Sequence, residues 1–191
     1  MSPITHFLTG WMIASTDHLA ARDRMLVTVA AVVPDADALG IIAEKITEHS
    51  GHPLMWWSEY HHVLCHNIGF CMAVMIAAGA AAKRKYLTPM LVCLSFHLHL
   101  LGDIIGAKGP DGYQWPIPYL LPFSEKIQWV WKGQWAINAW PNMVLTAVLL
   151  GISFYLAWKR GYSPLEMISQ RADQVFVQTL RNRFGKTKQT L

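Results

Sequence analysis

The sequence predicts an all-α membrane protein, a polytopic bundle of about five transmembrane helices of which the first two are short. Hydrophobic residues make up 53% of the 191 residues. Asp, Glu, Lys and Arg together make up only 15%, whereas about 25% is usual in soluble domains. Several apolar stretches approach or reach the length of about 20 residues that crosses a bilayer core. This composition argues against a disordered chain or a coiled coil.

Five apolar stretches supply the predicted helices. The first two, Thr5–Leu19 and Met25–Val33, are short for a membrane crossing, and we expect them to form a hairpin. The three that follow are long enough to span the core: Val63–Ala82, Tyr86–Gly106 and Ala139–Trp158. Residues 1–160 are therefore predicted to form one membrane-embedded domain.

The basic residues between these stretches orient the bundle. If the chain crosses the membrane at every stretch, twelve of the sixteen Lys and Arg residues fall on one side. They are Arg22, Arg24, Lys83, Arg84, Lys85, Lys159, Arg160, Arg171, Arg181, Arg183, Lys186 and Lys188. Because cytoplasmic loops collect Lys and Arg, we expect an inner-membrane protein with its N-terminus outside and its C-terminus inside.

Residues 161–191 are predicted to form a separate cytoplasmic element. The run Ser163-Pro164-Leu165-Glu166 fits a helix start, with Ser as the N-cap, Pro at the first position and Glu at the third. A ragged apolar stripe opposes basic residues, which is typical of a helix lying on the anionic inner leaflet. No base-reading motif is visible, so we expect no nucleic-acid partner.

Histidine and aspartate residues gather at one predicted level of the membrane. They lie at the outer ends of the first four helices, although the orientation was derived from Lys and Arg alone. They are His6, Asp35, Asp37, His61, His62, His66, His99 and Asp103. Buried imidazoles and carboxylates are costly unless they pair or bind metal. Each residue alone has a structural explanation, as a packed histidine or a helix cap, but their coincidence at one level favours a metal site.

The spacing of these residues tests the same idea. Residues four apart share a helix face, as do His62 with His66 and His99 with Asp103. His61 lies about 140° from His66 on an ideal helix, so it joins the site only if the helix begins irregularly. Imidazole nitrogen and carboxylate oxygen suit zinc, with manganese and iron as alternatives. The number of candidate ligands exceeds one tetrahedral site, which predicts two or three ions.

These motifs resemble a known family. The elements Thr5-His6, Pro34-Asp35-Ala36-Asp37, His61 to His66 and His99 to Asp103 are similar to those of bacterial membrane-bound metal-dependent hydrolases, some linked to the DNA-damage response. The His-x3-Asp element is also distantly similar to one in zinc-dependent phospholipase C. The resemblance covers about residues 5–125 and implies a metal-binding role for His6, Asp35, Asp37, His61, His66, His99 and Asp103. It departs from the family pattern at His62, where Arg is usual, and at Cys65, where Thr is usual.

The register of the family indicates His61 as a ligand, whereas helical geometry indicates His62, and both are kept. Asp37 and Glu59 are candidate general bases, or groups that orient a ligand histidine. The expected activity is hydrolysis of a phosphoester or a lipid headgroup, with membrane lipids as partners, because tryptophans crowd the outer loops. The alternative is a metal-binding carrier or assembly factor without catalysis. The three cysteines are predicted to be small core residues.

Overall fold

The computed structural model describes residues 1–16, 19–109 and 112–185, and this part of the chain is all-helical. It contains eight α-helices and two 3-10 helices, which confirms the predicted all-α class, whereas the number of five membrane helices stays a prediction. The α-helices are α1 (Pro3–Ala14), α2 (Ala21–Ala30), α3 (Gly40–Thr47), α4 (Trp56–Tyr60), α5 (Ile68–Ala81), α6 (Leu87–Gly106), α7 (Trp140–Arg160) and α8 (Gln170–Phe184). The 3-10 helices are Val33–Leu39 and Pro164–Met167.

The membrane-spanning elements differ in length from the prediction. Among the described residues, α6 and α7 are long and apolar enough to cross a membrane. The segments Ala21–Ala30 and Val33–Thr47 meet the same criterion as a pair, but they are bent by 52° where they join. Such a bend is typical of a broken span or a re-entrant loop. The second predicted helix is thus the first half of a longer, broken element.

The third predicted span, Val63–Ala82, begins too early. The helix α5 starts at Ile68 because the side chain of Asn67 accepts a hydrogen bond from the Phe70 N–H and acts as its N-cap. With 14 residues, α5 is about 21 Å long at 1.5 Å per residue. Residues 61–67 therefore form an irregular segment instead of the first turns of a helix.

Helix α1 lies at the centre of the bundle and contacts α2, α6 and α7. Its approach to α2 depends on Gly10. A Cβ atom at this position would lie 2.6 Å from the Ala31 Cβ and 2.9 Å from the Thr28 carbonyl oxygen. Small residues at such crossings let membrane helices approach closely. The close crossing brings the N-terminal end of α1 and the C-terminal end of α2 towards the same part of α6.

The three turns that carry basic residues meet at one end of the bundle. They contain Arg22 and Arg24, then Lys83 to Lys85, then Lys159 and Arg160. The Asp23 carboxylate accepts hydrogen bonds from the backbone N–H groups of Lys83 and Arg84, at 2.8 and 3.1 Å. Arg24 donates from Nε and Nη2 to the two carboxylate oxygens of Glu166, both at 2.6 Å. Their shared end agrees with the alternating path used to orient the chain. Which side of the membrane this end faces stays a prediction.

The tail begins differently from the prediction. Ser163 caps the short 3-10 helix Pro164–Met167, and the longer helix α8 starts seven residues later, with Ser169 as its N-cap. Asp173 in α8 accepts hydrogen bonds from the Ser163 N–H and hydroxyl, both at 2.6 Å. These bonds turn the chain back, so that α8 packs beside α7. Residues 186–191, with Lys186 and Lys188, lie outside the described residues.

Candidate metal centre

Four side chains from three segments converge inside the bundle. Asp35 comes from the first 3-10 helix, His66 from the irregular segment before α5, and His99 and Asp103 from α6. Each offers one ligand atom, and these four atoms all lie within 4.8 Å of one another. We call Asp35, His66, His99 and Asp103 the four-residue group. It unites residues that are up to 68 positions apart in the sequence.

The distances within the four-residue group suit a tetrahedral ion. The two imidazole Nε2 atoms of His66 and His99 are 3.1 Å apart. Asp103 Oδ2 lies 2.9 Å from His99 Nε2 and 3.5 Å from His66 Nε2. Asp35 Oδ1 lies 3.6 and 3.9 Å from the same two nitrogens. For comparison, zinc–ligand bonds of about 2.0–2.2 Å give tetrahedral ligand–ligand distances of about 3.3–3.6 Å.

The outer hydrogen bonds of the two histidines orient both rings towards one point. His99 Nδ1 donates to the Ala31 carbonyl oxygen at 2.8 Å, because a carbonyl can only accept. His66 Nδ1 pairs with Asp37 Oδ2 at 3.0 Å. In the neutral rings, both Nε2 atoms therefore carry lone pairs. A cation must lie between them, either a proton on one ring or a metal ion.

The carboxylates distinguish these two cations. Asp35 Oδ2 is buried and has no hydrogen-bond partner within the described part of the chain, and Asp103 Oδ2 faces the two Nε2 atoms at 2.9 and 3.5 Å. A proton can be shared by only two of the four donor atoms, whereas a divalent ion can accept all four. An unpartnered buried polar oxygen costs free energy in the folded protein. The four-residue group can thus hold a metal ion, as the mixed nitrogen and oxygen donors also indicate.

The sequence prediction for α6 is confirmed by its geometry, since His99 and Asp103 do share a face four residues apart. His6 joins them from α1 in a different way. Its Nε2 lies 3.0 Å from Asp103 Oδ1, and its ring centroid is 3.9 Å from that of His99. The amino nitrogen of Met1 contacts the same oxygen of Asp103. The structure therefore places His6 behind the carboxylate, where it can orient Asp103, and outside the four-residue group.

Asp37 occupies a similar position behind His66. One oxygen lies 2.8 Å from His61 Nδ1, and the other pairs with His66 Nδ1 and accepts the Cys65 N–H at 3.2 Å. A carboxylate that binds the outer nitrogen of a ligand histidine fixes its tautomer and orientation. Of the three expected roles of Asp37, which are metal ligand, general base and orienting group, this geometry favours the third. Glu59, the other candidate base, lies exposed on α4.

His61 and His62 are both near the site, and neither belongs to the four-residue group. His62 has a φ of +66°, in the left-handed region, so the helical spacing of His62 and His66 does not apply. The His62 ring lies 4.5 Å from that of His66. Its Nδ1 is buried without a hydrogen-bond partner among the described residues. His61 approaches through Asp37 instead, which the irregular start of α5 permits.

The pKa values of His62 and His66 are shifted in opposite directions. Burial lowers the pKa of the His62 imidazole to about 2, so the ring is neutral and keeps a lone pair. Burial alone would also lower the pKa of His66, but the Asp103 and Asp37 carboxylates outweigh it and raise that pKa to about 9. A proton and a metal ion compete for the same lone pair on His66.

Two tryptophans form a wall beside the histidines that the sequence did not reveal. Trp57 stacks on His61 with ring centroids 3.9 Å apart. Trp115 lies 5.2 Å from both His61 and His62. The sequence places both in the predicted outer loops but does not link them to the histidines, because contacts between distant loops leave no spacing signal.

In the four-residue group, Asp35 is the most accessible member, with 19% of its side chain exposed.

A second group of potential ligands, Cys71, Cys93 and His97, lies between α5 and α6. Both nitrogens of His97 are already engaged: Nδ1 donates to the Cys93 carbonyl oxygen, and Nε2 pairs with the Tyr119 hydroxyl, each at 2.8 Å. The cysteines are free thiols, with Cys71 fully buried and Cys65 and Cys93 half-buried. This group is explained by packing, as predicted for the cysteines.

When the chain is compared with known protein families, one family model matches it. The family model described as YdjM inner membrane protein matches residues 1–170. No curated protein and no solved structure matches the chain. The matched region contains all of the predicted site residues and every helix up to the start of α8.

Proposed function

The chain belongs to the YdjM inner membrane protein family and is a bacterial inner-membrane protein; on that premise, we propose that it is a metal-dependent hydrolase. The four-residue group would bind one divalent ion, with zinc as the first choice. The substrate would be a phosphoester, either in a lipid headgroup or in a water-soluble molecule that reaches the outer face. One observation carries this proposal: two imidazole nitrogens and two carboxylate oxygens lie within 4.8 Å of one another inside the bundle.

The protein supplies the orientation that such a site needs. Asp37 holds the His66 ring, and the Ala31 carbonyl holds the His99 ring. His6 holds the Asp103 carboxylate from behind. These outer contacts keep each ligand tautomer and angle fixed before an ion or substrate arrives.

When bound, a zinc ion lowers the pKa of a coordinated water from 15.7 to about 7 and polarises a phosphoryl oxygen. Catalytic zinc sites keep one coordination position open for that water. Asp35 is the member of the group that meets solvent, so we expect water and substrate to enter beside it. The neighbouring Trp57 and Trp115 would shield His61 and the adjoining part of the site from solvent.

A second candidate is a metal carrier or assembly factor that performs no hydrolysis. The number of protein donors favours it, because structural zinc sites are closed by four protein ligands, whereas catalytic sites commonly have three. The deep burial of His66, His99 and Asp103 agrees with such a closed site. The two candidates share the ion and differ in whether a phosphoester is cleaved.

The test begins with wild-type protein purified in detergent without chelator, and with elemental analysis of its metal content. The zinc-loaded protein is then assayed with bis-p-nitrophenyl phosphate, p-nitrophenyl phosphate and phosphatidylglycerol. We expect cleavage of at least one substrate, loss of activity with chelator, and recovery when zinc is restored. Fully metallated protein that cleaves none of them, yet changes metal flux in vesicles, would establish the carrier instead.

Variants on α6 provide the matched control. Asp103→Ala should lose the metal and the activity together, because it removes one ligand and leaves buried histidines without a carboxylate. His97→Ala, on the same helix but outside the four-residue group, should keep the metal. Thermal unfolding of both variants separates loss of the ion from loss of the fold. Metal retained in folded Asp103→Ala protein would contradict the assigned ligand set.

A further inference from the structure

An apolar groove runs between α3 and α4 and reaches Asp37, whose carboxylate pairs with His66 of the four-residue group. Its cavity of about 660 Å³ is within the range of ligand pockets, about 300–1,000 Å³. Six large side chains line it: Leu39, Ile42, Ile46, Trp56, Tyr60 and Leu64. The three from the first 3-10 helix and α3 recur at spacings of three and four residues, and therefore lie along one face. The groove is thus a continuous apolar channel along a helix hairpin.

Two contacts between α3 and α4 hold together the hairpin that forms this groove. A Cβ atom on Gly40 would lie 2.8 to 2.9 Å from the backbone of Trp56 and Trp57, so α3 and α4 touch backbone to backbone there. The Glu44 carboxylate also accepts hydrogen bonds from the Ser58 N–H and hydroxyl, at 3.1 and 3.0 Å. These contacts give the groove fixed walls instead of two independent helices.

The groove opens towards the lipid. Helix α3 belongs to the bent pair that is long and apolar enough to cross the membrane. It has no buried residue, and Leu39 and Ile46 expose 64% and 79% of their surface. In an inner-membrane protein, apolar side chains exposed on an element that crosses or re-enters the membrane face hydrocarbon chains. Lipid chains therefore reach this groove without leaving the membrane.

The inner end of the groove is chemically different. It is lined by Ala36 and Asp37, which follow Asp35 directly in the chain. Ala36 is exposed, and Asp35 is the most accessible member of the four-residue group. An occupant would thus have an apolar tail along α3 and a polar group at the metal centre. A membrane phospholipid has this arrangement.

We infer that the groove between α3 and α4 binds one acyl chain of a membrane phospholipid and presents its phosphoester to the four-residue group. This inference rests on the proposed function for the reaction, and it selects the lipid over a water-soluble phosphoester as the substrate. Apolar contact along about 12 Å of α3, at 1.5 Å per residue, supplies the binding free energy. The polar headgroup then needs few specific contacts of its own.

Photolabelling tests the groove without relying on activity. The probe is phosphatidylglycerol with a diazirine on one acyl chain, in phosphatidylcholine vesicles that contain the full-length protein. We expect adducts at residues 36–46 and 56–64, located by mass spectrometry. Ile42→Trp should reduce them about tenfold, because the larger ring fills space that the chain needs. Ile41→Trp is the matched control, since Ile41 is also exposed on α3 but does not line the groove.

The outcomes separate this inference from the proposed function. Groove labelling that is equal in both tryptophan variants, or absent while a second copy of the chain is crosslinked there, would overturn the inference. Cleavage of a water-soluble phosphodiester by protein whose groove takes no label would leave the hydrolase proposal intact and remove the lipid. Conversely, labelling that persists in inactive, metal-free Asp103→Ala protein supports the groove independently of catalysis.

Discussion

Replacing Asp37 by Asn tests the role of the carboxylate behind His66. The substitution keeps the size of the side chain but removes its charge and one acceptor oxygen. Asp37 now serves three donors with two oxygens: His61 Nδ1, His66 Nδ1 and the Cys65 N–H. Asn has one oxygen, and its NH₂ group would face an N–H where an oxygen is now. At least one of the three contacts must therefore be lost or reversed.

The expected magnitude follows from the position of Asp37. A group that orients a ligand histidine changes metal affinity by about 10–100-fold when it is mutated, about 1.4–2.7 kcal/mol. We therefore expect the zinc Kd of Asp37→Asn to rise by that factor, with stoichiometric binding still reached at high zinc. A chromophoric chelator competing for zinc in detergent solution measures this. Glu59→Gln is the control, because Glu59 is exposed on α4 and should leave the Kd unchanged.

Two results would refute this reasoning in opposite directions. An unchanged Kd in Asp37→Asn would mean that the bond from Asp37 to His66 does not prepare a metal ligand. Complete loss of zinc from folded protein would make Asp37 a direct ligand, and the four-residue group would then be incomplete. Activity separates a further role, because a general base keeps its metal and loses rate when it is neutralised.

Two further predictions concern packing and orientation. Gly10→Ala should lower the free energy of unfolding by about 1–3 kcal/mol, because the added methyl group forces α1 away from α2. Gly151→Ala is the control in α7: it has open space around it and should raise the free energy of unfolding by about 0.5–1 kcal/mol. Equal shifts in the unfolding temperature of the two variants in detergent would contradict the close crossing. The predicted orientation is tested with single cysteines in protein that lacks the three native ones. A cysteine that replaces Glu125 should react with an impermeant thiol reagent in intact spheroplasts, whereas a cysteine that replaces Arg171 should react only after lysis. The reverse pattern would invert the topology.

The parts of the fold that depend on local periodicity were predictable from the sequence. Apolar length identified α6 and α7, and a spacing of four within a regular helix identified His99 and Asp103 as one face. The basic turns were correctly expected to share one end, because consecutive spans must alternate in direction. The boundaries of α5 were less predictable, since hydropathy does not reveal that Asn67 caps a helix.

The divided roles of Asp35 and Asp37 could not be predicted, because they depend on contacts with distant residues. Two residues apart in a 3-10 helix of three residues per turn, their side chains point about 120° apart. Asp35 therefore enters the four-residue group, whereas Asp37 turns back towards His61. The choice between His61 and His62 depended on a helix that is absent from residues 61–67. Contacts across the bundle, such as His6 with Asp103, have no signature in a single sequence.

The ion pair between Arg24 and Glu166 sets an order for biosynthesis. Its partners are 142 positions apart, so at about 5–20 residues per second the ribosome reaches Glu166 about 7–28 s after Arg24. All members of the four-residue group, by contrast, have been made once residue 103 has been added. The nascent chain can thus bring the four-residue group together before the partner of Arg24 has been made. Synthesis of Glu166 then lets the segment after α7 pair with α2, as a late step in insertion.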